Sequence, residues 1–223
     1  MKMNINVEAG IALGKTTLIK NLEKIVSSKI QGELEVITEP VKEWRDVAGQ
    51  DLLKLFAANP KEFAFQTQVH ILSTMSRQRE IQSTTNSIRI FERSLDASEF
   101  IFKPVLYEDG LITELESKIL SELFLSLVSR MPRVDGIIYL KGSPELAHER
   151  IKIRNFKCDE ELSISYLEKL QKKHDDFIAE KKAGGVDVLT IDASKDKVIV
   201  AAEAAEFVMK KFRSINVFCG QYV

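Results

Sequence analysis

Residues 3–18 read Met3-Asn-Ile-Asn-Val-Glu-Ala-Gly10-Ile-Ala-Leu-Gly14-Lys15-Thr16-Thr17-Leu18. A short apolar strand runs into a loop of small residues, and Gly14-Lys15-Thr16 opens a helix. That order is what a phosphate-binding loop needs. Backbone N–H groups of the loop and helix start face an anion, and the helix dipole favours negative charge there. On this reading Ala9, Gly10, Ile11, Ala12, Leu13, Gly14 and Thr17 wrap phosphates, Lys15 reaches the outer ones, and the Thr16 hydroxyl takes a magnesium position. The usual pattern has glycine five residues before the glycine of Gly-Lys, where this chain has Ala9. A Cβ at a position of positive φ costs about 1–2 kcal/mol, so strain is expected there. Taken alone, the stretch also fits an ordinary strand–turn–helix.

Composition narrows the field. The 223 residues are 44% hydrophobic and 29% charged, enough for one sizeable core. A net charge of −1 supplies no basic field for nucleic acid or a membrane surface. Cys158 and Cys219 stand far apart without metal-ligand spacing and read as free thiols in a reducing compartment. His70, His148 and His174 do not pair at ligand spacing, which argues against structural zinc or a Ser-His-Asp triad. The start of the chain reads as lacking a signal peptide or presequence, and no run reaches the ~18 apolar residues of a membrane span. The expectation is a cytoplasmic protein.

Periodicity organises the remainder. It predicts helices over 15–28, 51–58, 60 to about 82, about 96–107 and 112–130, and further helices over 144 to about 154, 164–182 and 195–212. Strands are expected at 34–38, 87–91, 136–140 and 186–191. No repeat or linker interrupts the pattern, so residues 1–223 read as a single domain. Five strands alternating with helices predict an α/β fold, a parallel sheet flanked by helices. Ligands then bind beyond the carboxyl ends of the strands. Glu8 and the loop follow strand one, Glu39 strand two, and Glu92-Arg93-Ser94 strand three.

Each of these residues has a plain and a chemical reading. Glu39, followed by Pro40 and Trp44, is either a solvated turn carboxylate or a general base beside a phosphoryl donor. Glu92 and Arg93 are either a local ion pair or a metal-water contact and a phosphate contact. Arg150 and Arg154 lie one helical turn apart, on a solvated face or at a lid over about 154–162 whose cations stabilise the transferring group. Phe63 reads as core. Trp44, Phe65 and Gln66 suit an apolar slot with one bidentate amide for a base edge.

Together these motifs resemble the deoxynucleoside kinases of the deoxycytidine, deoxyguanosine and mitochondrial thymidine kinase type. The resemblance is carried by Val7-Glu8-x-x-Ile-Ala-x-Gly-Lys-Thr-Thr17, Thr38-Glu-Pro-Val-x-x-Trp44, Phe65-Gln66, Phe91-Glu-Arg-Ser94, Asp135-Gly-Ile-Ile-Tyr-Leu-x-x-x-Pro-Glu145 and Tyr166-Leu-Glu-Lys-Leu-x-x-x-His174. It covers roughly 3–193. It implies a P-loop kinase-type fold with a lid, and transfer of the ATP γ-phosphate to the 5′-hydroxyl of a deoxynucleoside with Mg²⁺. Glu39 is then the base on that hydroxyl. Lys15 and Thr16 serve phosphates and metal, Glu92 supports the metal, and Arg93 orients the 5′-oxygen. Gln66 pairs with the base between Trp44 and Phe65. Arg150 resembles the residue stacking on adenine, and Arg154 a lid arginine.

Several positions depart from the family pattern. Ala9-Gly10 stands where the family has Gly-Asn. Phe156 and Lys157 stand where a second lid arginine is usual, and an ammonium lacks the guanidinium's fork. The lid acid that contacts the sugar falls on Asp159, or on Glu160 or Glu161 with a slip in register. Ser73 and Ser98 replace an Arg–Asp pair of the deoxycytidine-type members, implying room for a thymine methyl and a pyrimidine or broad preference. The family also implies a homodimer through helices, for which the run Ile119–Val128 is suited. The rival readings are a thymidylate-type nucleoside monophosphate kinase and a catalytically silent nucleotide-binding relative.

Overall fold

The stretch that opens the chain becomes its central strand. In a computed structural model, which describes residues 2–30, 33–80, 87–154 and 162–220, β1 (Met3–Ala9) is buried along its whole length. It pairs in parallel with β3 (Ser87–Glu92) on one side and β4 (Gly136–Lys141) on the other. Beyond these lie β2 (Glu33–Ile37) and β5 (Val188–Asp192), giving the order β2-β3-β1-β4-β5. A strand in the middle of a parallel sheet is covered on both faces.

The two faces of β1 differ in chemistry. Met3, Ile5, Val7 and Ala9 join an apolar layer built with α1 (Lys15–Ser27) and α9 (Lys197–Gly220). In that layer Leu18, Ile19, Leu22 and Val26 recur at helical spacing along α1, each buried leucine-sized side chain contributing roughly 1.5–3 kcal/mol. The alternate residues Asn4, Asn6 and Glu8 are just as buried. They face the layer formed by α4 (Pro60–Glu80), α5 (Lys103–Glu108), α6 (Glu114–Val128) and α8 (Ile164–Ala183). The strand read as apolar thus has one apolar face and one polar one.

Element ends follow local chemistry. Asp51 caps α3 (Leu52–Ala58), its side chain accepting from the Lys54 N–H at 3.0 Å. Thr113 and Glu116 form a reciprocal capping box on α6. The expected helix over 96–107 is a π-helical turn, Ser98–Phe102, leading into α5; Pro104 has no N–H for a regular ladder. A four-residue α2 (Val41–Trp44), not anticipated, follows Pro40. The closing helix α9 runs past the expected 212, since neither glycine nor proline intervenes before Gly220. Among the described residues no helix is long and apolar enough to cross a membrane.

Candidate active site

Register brings the motifs to one rim. Val7 pairs with Glu92 and Ile37 with Phe91, so the chain leaving β1, β2 and β3 emerges side by side. At the start of α1, Gly14 has φ 97° and Ala12 φ 58°. The strain expected at Ala9 is therefore not there. Ala9 ends β1 as an ordinary strand residue, and the left-handed conformation falls on Ala12 and Gly14. Leu13 docks beneath β4, where a Cβ on Gly142 would lie 2.6 Å from its Cδ2; that close approach needs glycine.

Lys15 is buried, and its Nζ lies 3.4 Å from the carbonyl oxygens of Ala9 and Gly10. Burial, and then the Arg93 charge, lower its pKa to about 8 against the pull of Glu39, Glu92 and Glu8. The Thr16 hydroxyl donates to Glu92 Oε1 at 2.5 Å, and the Glu39 N–H donates to Glu92 Oε2 at 3.4 Å. Glu92 thereby links the helix of the phosphate loop to the end of β2. One hydroxyl and one carboxylate beside a phosphate loop are a donor set that suits Mg²⁺, which is commonly held by one or two carboxylates together with phosphate oxygens and water.

Arg93 Nε donates to Glu39 Oε1 at 2.5 Å, with both side chains largely buried. Burial disfavours the Arg93 charge, but Glu39 and Glu8 outweigh it and raise the pKa above its ordinary value. Its Nη1 is buried with no hydrogen-bond partner among the described residues, a donor ready for an anion. Arg93 also has φ 65°, a left-handed backbone that costs roughly 1–3 kcal/mol and clusters at functional sites. Glu8, fully buried, accepts from the Ser94 N–H at 2.8 Å, and burial raises its pKa. Below it, His174 Nδ1 lies 2.7 Å from the Leu170 carbonyl oxygen. Burial, with Arg93 next, takes the His174 pKa down to about 3 and keeps the ring neutral.

The remaining expected residues divide. Trp44 is buried, its Nε1 donating to Thr74 Oγ1 at 2.8 Å, and Phe65 packs into the same apolar cluster. Gln66 is exposed on α4, two turns before Ser73, which is exposed as well. Ser98 is buried at the head of the π-helical turn. Arg150, on α7 (Pro144–Arg154), donates to the carbonyls of Leu13 at 3.2 Å and Ala193 at 2.8 Å. It therefore braces the phosphate loop. The Arg154 side chain and the lid residues Phe156, Lys157, Asp159, Glu160 and Glu161 lie outside the described residues. Motif reading put Glu8 just after strand one without a role, whereas it lies buried within β1; it gave Asn6 and Arg79 no part in this rim, and alternation of polar residues in β1 was the available signal for Asn6.

The rim offers a carboxylate, an arginine, a lysine at a phosphate loop and a hydroxyl–carboxylate pair, a set suited to phosphoryl transfer. Comparison with known proteins agrees. The family model described as deoxynucleoside kinase matches residues 5–217. The mitochondrial thymidine kinase 2 of Homo sapiens is 32% identical over 178 residues, covering 79% of this chain and 64% of that protein. Deoxyguanosine kinase of Xenopus laevis is 31% identical over 201 residues, 79% of this chain and 73% of the relative. Deoxycytidine kinase 2 of Gallus gallus is 27% identical over 223 residues, 86% and 82%. The chain thus spans just under two thirds of the length of the thymidine kinase it matches. With a family model covering most of its length and the rim of β1, β2 and β3 lying within that match, the chain belongs to the deoxynucleoside kinase family.

Proposed function

We propose that the protein transfers the γ-phosphoryl group of ATP to the 5′-hydroxyl of a deoxynucleoside. The observation that carries this reading is the Glu39–Arg93 pair at 2.5 Å, set beside the Thr16–Glu92 pair at 2.5 Å. Held in place by Arg93, Glu39 offers a carboxylate oxygen, able to take the hydroxyl proton as O5′ bonds to phosphorus and ADP departs. Arg93, with Nη1 unpartnered among the described residues, orients the 5′-oxygen and the transferring phosphoryl group. Lys15 and the loop from Ala9 to Thr17 hold the phosphates. Thr16 and Glu92 would hold Mg²⁺, which when bound supplies charge neutralisation at the phosphate oxygens.

Trp44 and Phe65 wall the nucleoside pocket, Gln66 reads the base edge, and Ser98 serves the same substrate. With Ser73 and Ser98 both small, the pocket accepts a pyrimidine or a broad range of bases. Similarity to a protein named thymidine kinase supports that preference. Arg150 serves the adenine side, while Arg154 and Asp159 act from the lid. A homodimer, and a cytoplasmic location in keeping with two cysteines far apart in the sequence, complete the reading.

The test is ADP release with ATP and Mg²⁺ against each of the four deoxynucleosides and dTMP. Turnover with thymidine or deoxycytidine and none with dTMP is the expected result. A strict purine preference overturns the base assignment, and turnover with dTMP alone overturns the acceptor.

A further inference from the structure

Arg79 stands in the last turn of α4, outside every motif discussed above, yet it is only 7% exposed. Its Nη2 donates to the backbone carbonyl of Arg93, and its Nη1 to Asn6 Oδ1 at 3.3 Å. The guanidinium lies over the Phe91 ring, 4.2 Å from the centroid. Burial lowers its pKa to about 10, against the attraction of Glu8 and Asp96 and with the repulsion of Arg89; it remains a cation at neutral pH. Burying a cation is costly unless it is paired and hydrogen-bonded, so the use made of its donors is informative.

One donor is spent on the residue whose backbone is strained. Arg93 has φ 65°, and it is fixed from several sides. Its N–H donates to the Val7 carbonyl at 2.9 Å, and the next N–H, of Ser94, donates to Glu8 Oε1 at 2.8 Å. Both of those partners belong to β1. The carbonyl side of the turn is held by Arg79, from the helix that also carries Phe65 and Gln66. Without that donor, the carbonyl of a left-handed residue loses the contact that sets the direction of its side chain.

We infer that Arg79 is a positioning residue: by holding the Arg93 carbonyl it keeps the arginine in the left-handed turn that directs its guanidinium to Glu39. The inference rests on the role proposed for Arg93. A side chain that acts only by positioning affects the transition state more than ground-state binding, so its loss lowers kcat and kcat/KM together.

The experiment is a double-mutant cycle. Arg79→Met keeps an apolar stem on Phe91 and deletes the donors; Arg79→Lys retains a charge and a donor. Each is made in the wild-type and Arg93→Lys backgrounds, with thermal stability and folded fraction measured alongside kinetics. Arg79→Met is expected to lower kcat per folded molecule about 10- to 100-fold with the deoxynucleoside KM within about threefold. Arg79→Lys recovers part of the loss. In the Arg93→Lys background the Arg79→Met change costs less than about twofold more, because residues acting as a unit are not additive. An unchanged kcat in the Met variant, or a full independent loss in the Arg93→Lys background, overturns the inference. Should Arg79→Met fail to fold, the Arg79→Lys arm decides by the same criteria. A full-rate Arg79 variant beside a slow Arg93→Lys refutes this inference alone; a full-rate Arg93→Lys removes the role of Arg93 and the inference with it.

Discussion

Lys15 is the residue whose environment makes the most direct claim about ligand charge. Its pKa, lowered by burial to about 8 from an ordinary 10.5, leaves it partly deprotonated in mildly alkaline solution while no anion is bound. A nucleotide triphosphate beside it favours the charged form. The sign follows: between about pH 8 and 10 the free protein holds fewer protons than the complex, so ATP binding takes up protons and weakens as pH rises. Calorimetry of ATP binding at pH 8.5, in two buffers of different ionisation enthalpy, is expected to show that uptake and its loss in Lys15→Met. Proton release, or the same uptake in the variant, would contradict this picture. Lys15 was legible because Gly-Lys-Thr after a strand has a local signature. So were Glu39 and Arg93, each close after an apolar run that ends a strand. The role of Glu8 and that of Arg79 were not. Their significance depends on Ser94 and Arg93 being brought within hydrogen-bond reach across 86 and 14 residues of chain, and one arginine near a helix end looks like any other.

Elements carry the site by ending where they do. Strong local punctuation made most of them readable: Pro60 opens α4, Ser143 and Pro144 open α7, and Gly184 closes α8. Where the signal was weak the elements were misjudged. The short α2 has no periodicity to detect over four residues, yet it seats Trp44 against Thr74. The π-helical turn at Ser98–Phe102 depends on packing against other elements rather than on propensity. α6 offers a test confined to one element. Its Thr113–Glu116 capping box satisfies orphan N–H groups at its start. Thr113→Ala is expected to cost about 1 kcal/mol in denaturant unfolding with kinetic constants unchanged. An altered KM would mean that α6 reaches the nucleoside site.

On the scale of the whole molecule, alternation of strands and helices was enough to read a parallel sheet, whereas the order β2-β3-β1-β4-β5 depends on pairings far apart in sequence. That order puts β1 and β3 side by side and lets one rim collect residues from three strands. The apolar positions of α6 also divide only in three dimensions. Leu120 and Phe124 enter the core, whereas Leu115, Ile119 and Leu125 stay exposed, at 68%, 42% and 62%. Apolar side chains left open on one helix fit the proposed homodimer. Light scattering is expected to give twice the chain mass for the wild type and the single-chain mass for a Leu115→Glu, Leu125→Glu variant. A monomeric wild type would remove the dimer and leave the chemistry intact. The chemistry stands on the convergence of Glu39 and Arg93 above the phosphate loop. Its most direct test is Glu39→Gln, a near-isosteric change that keeps a hydrogen-bond acceptor and removes the base. Turnover with the preferred deoxynucleoside is expected to fall about 10²- to 10⁴-fold while nucleoside affinity persists; a variant that turns over at the wild-type rate would show that Glu39 does not take the proton.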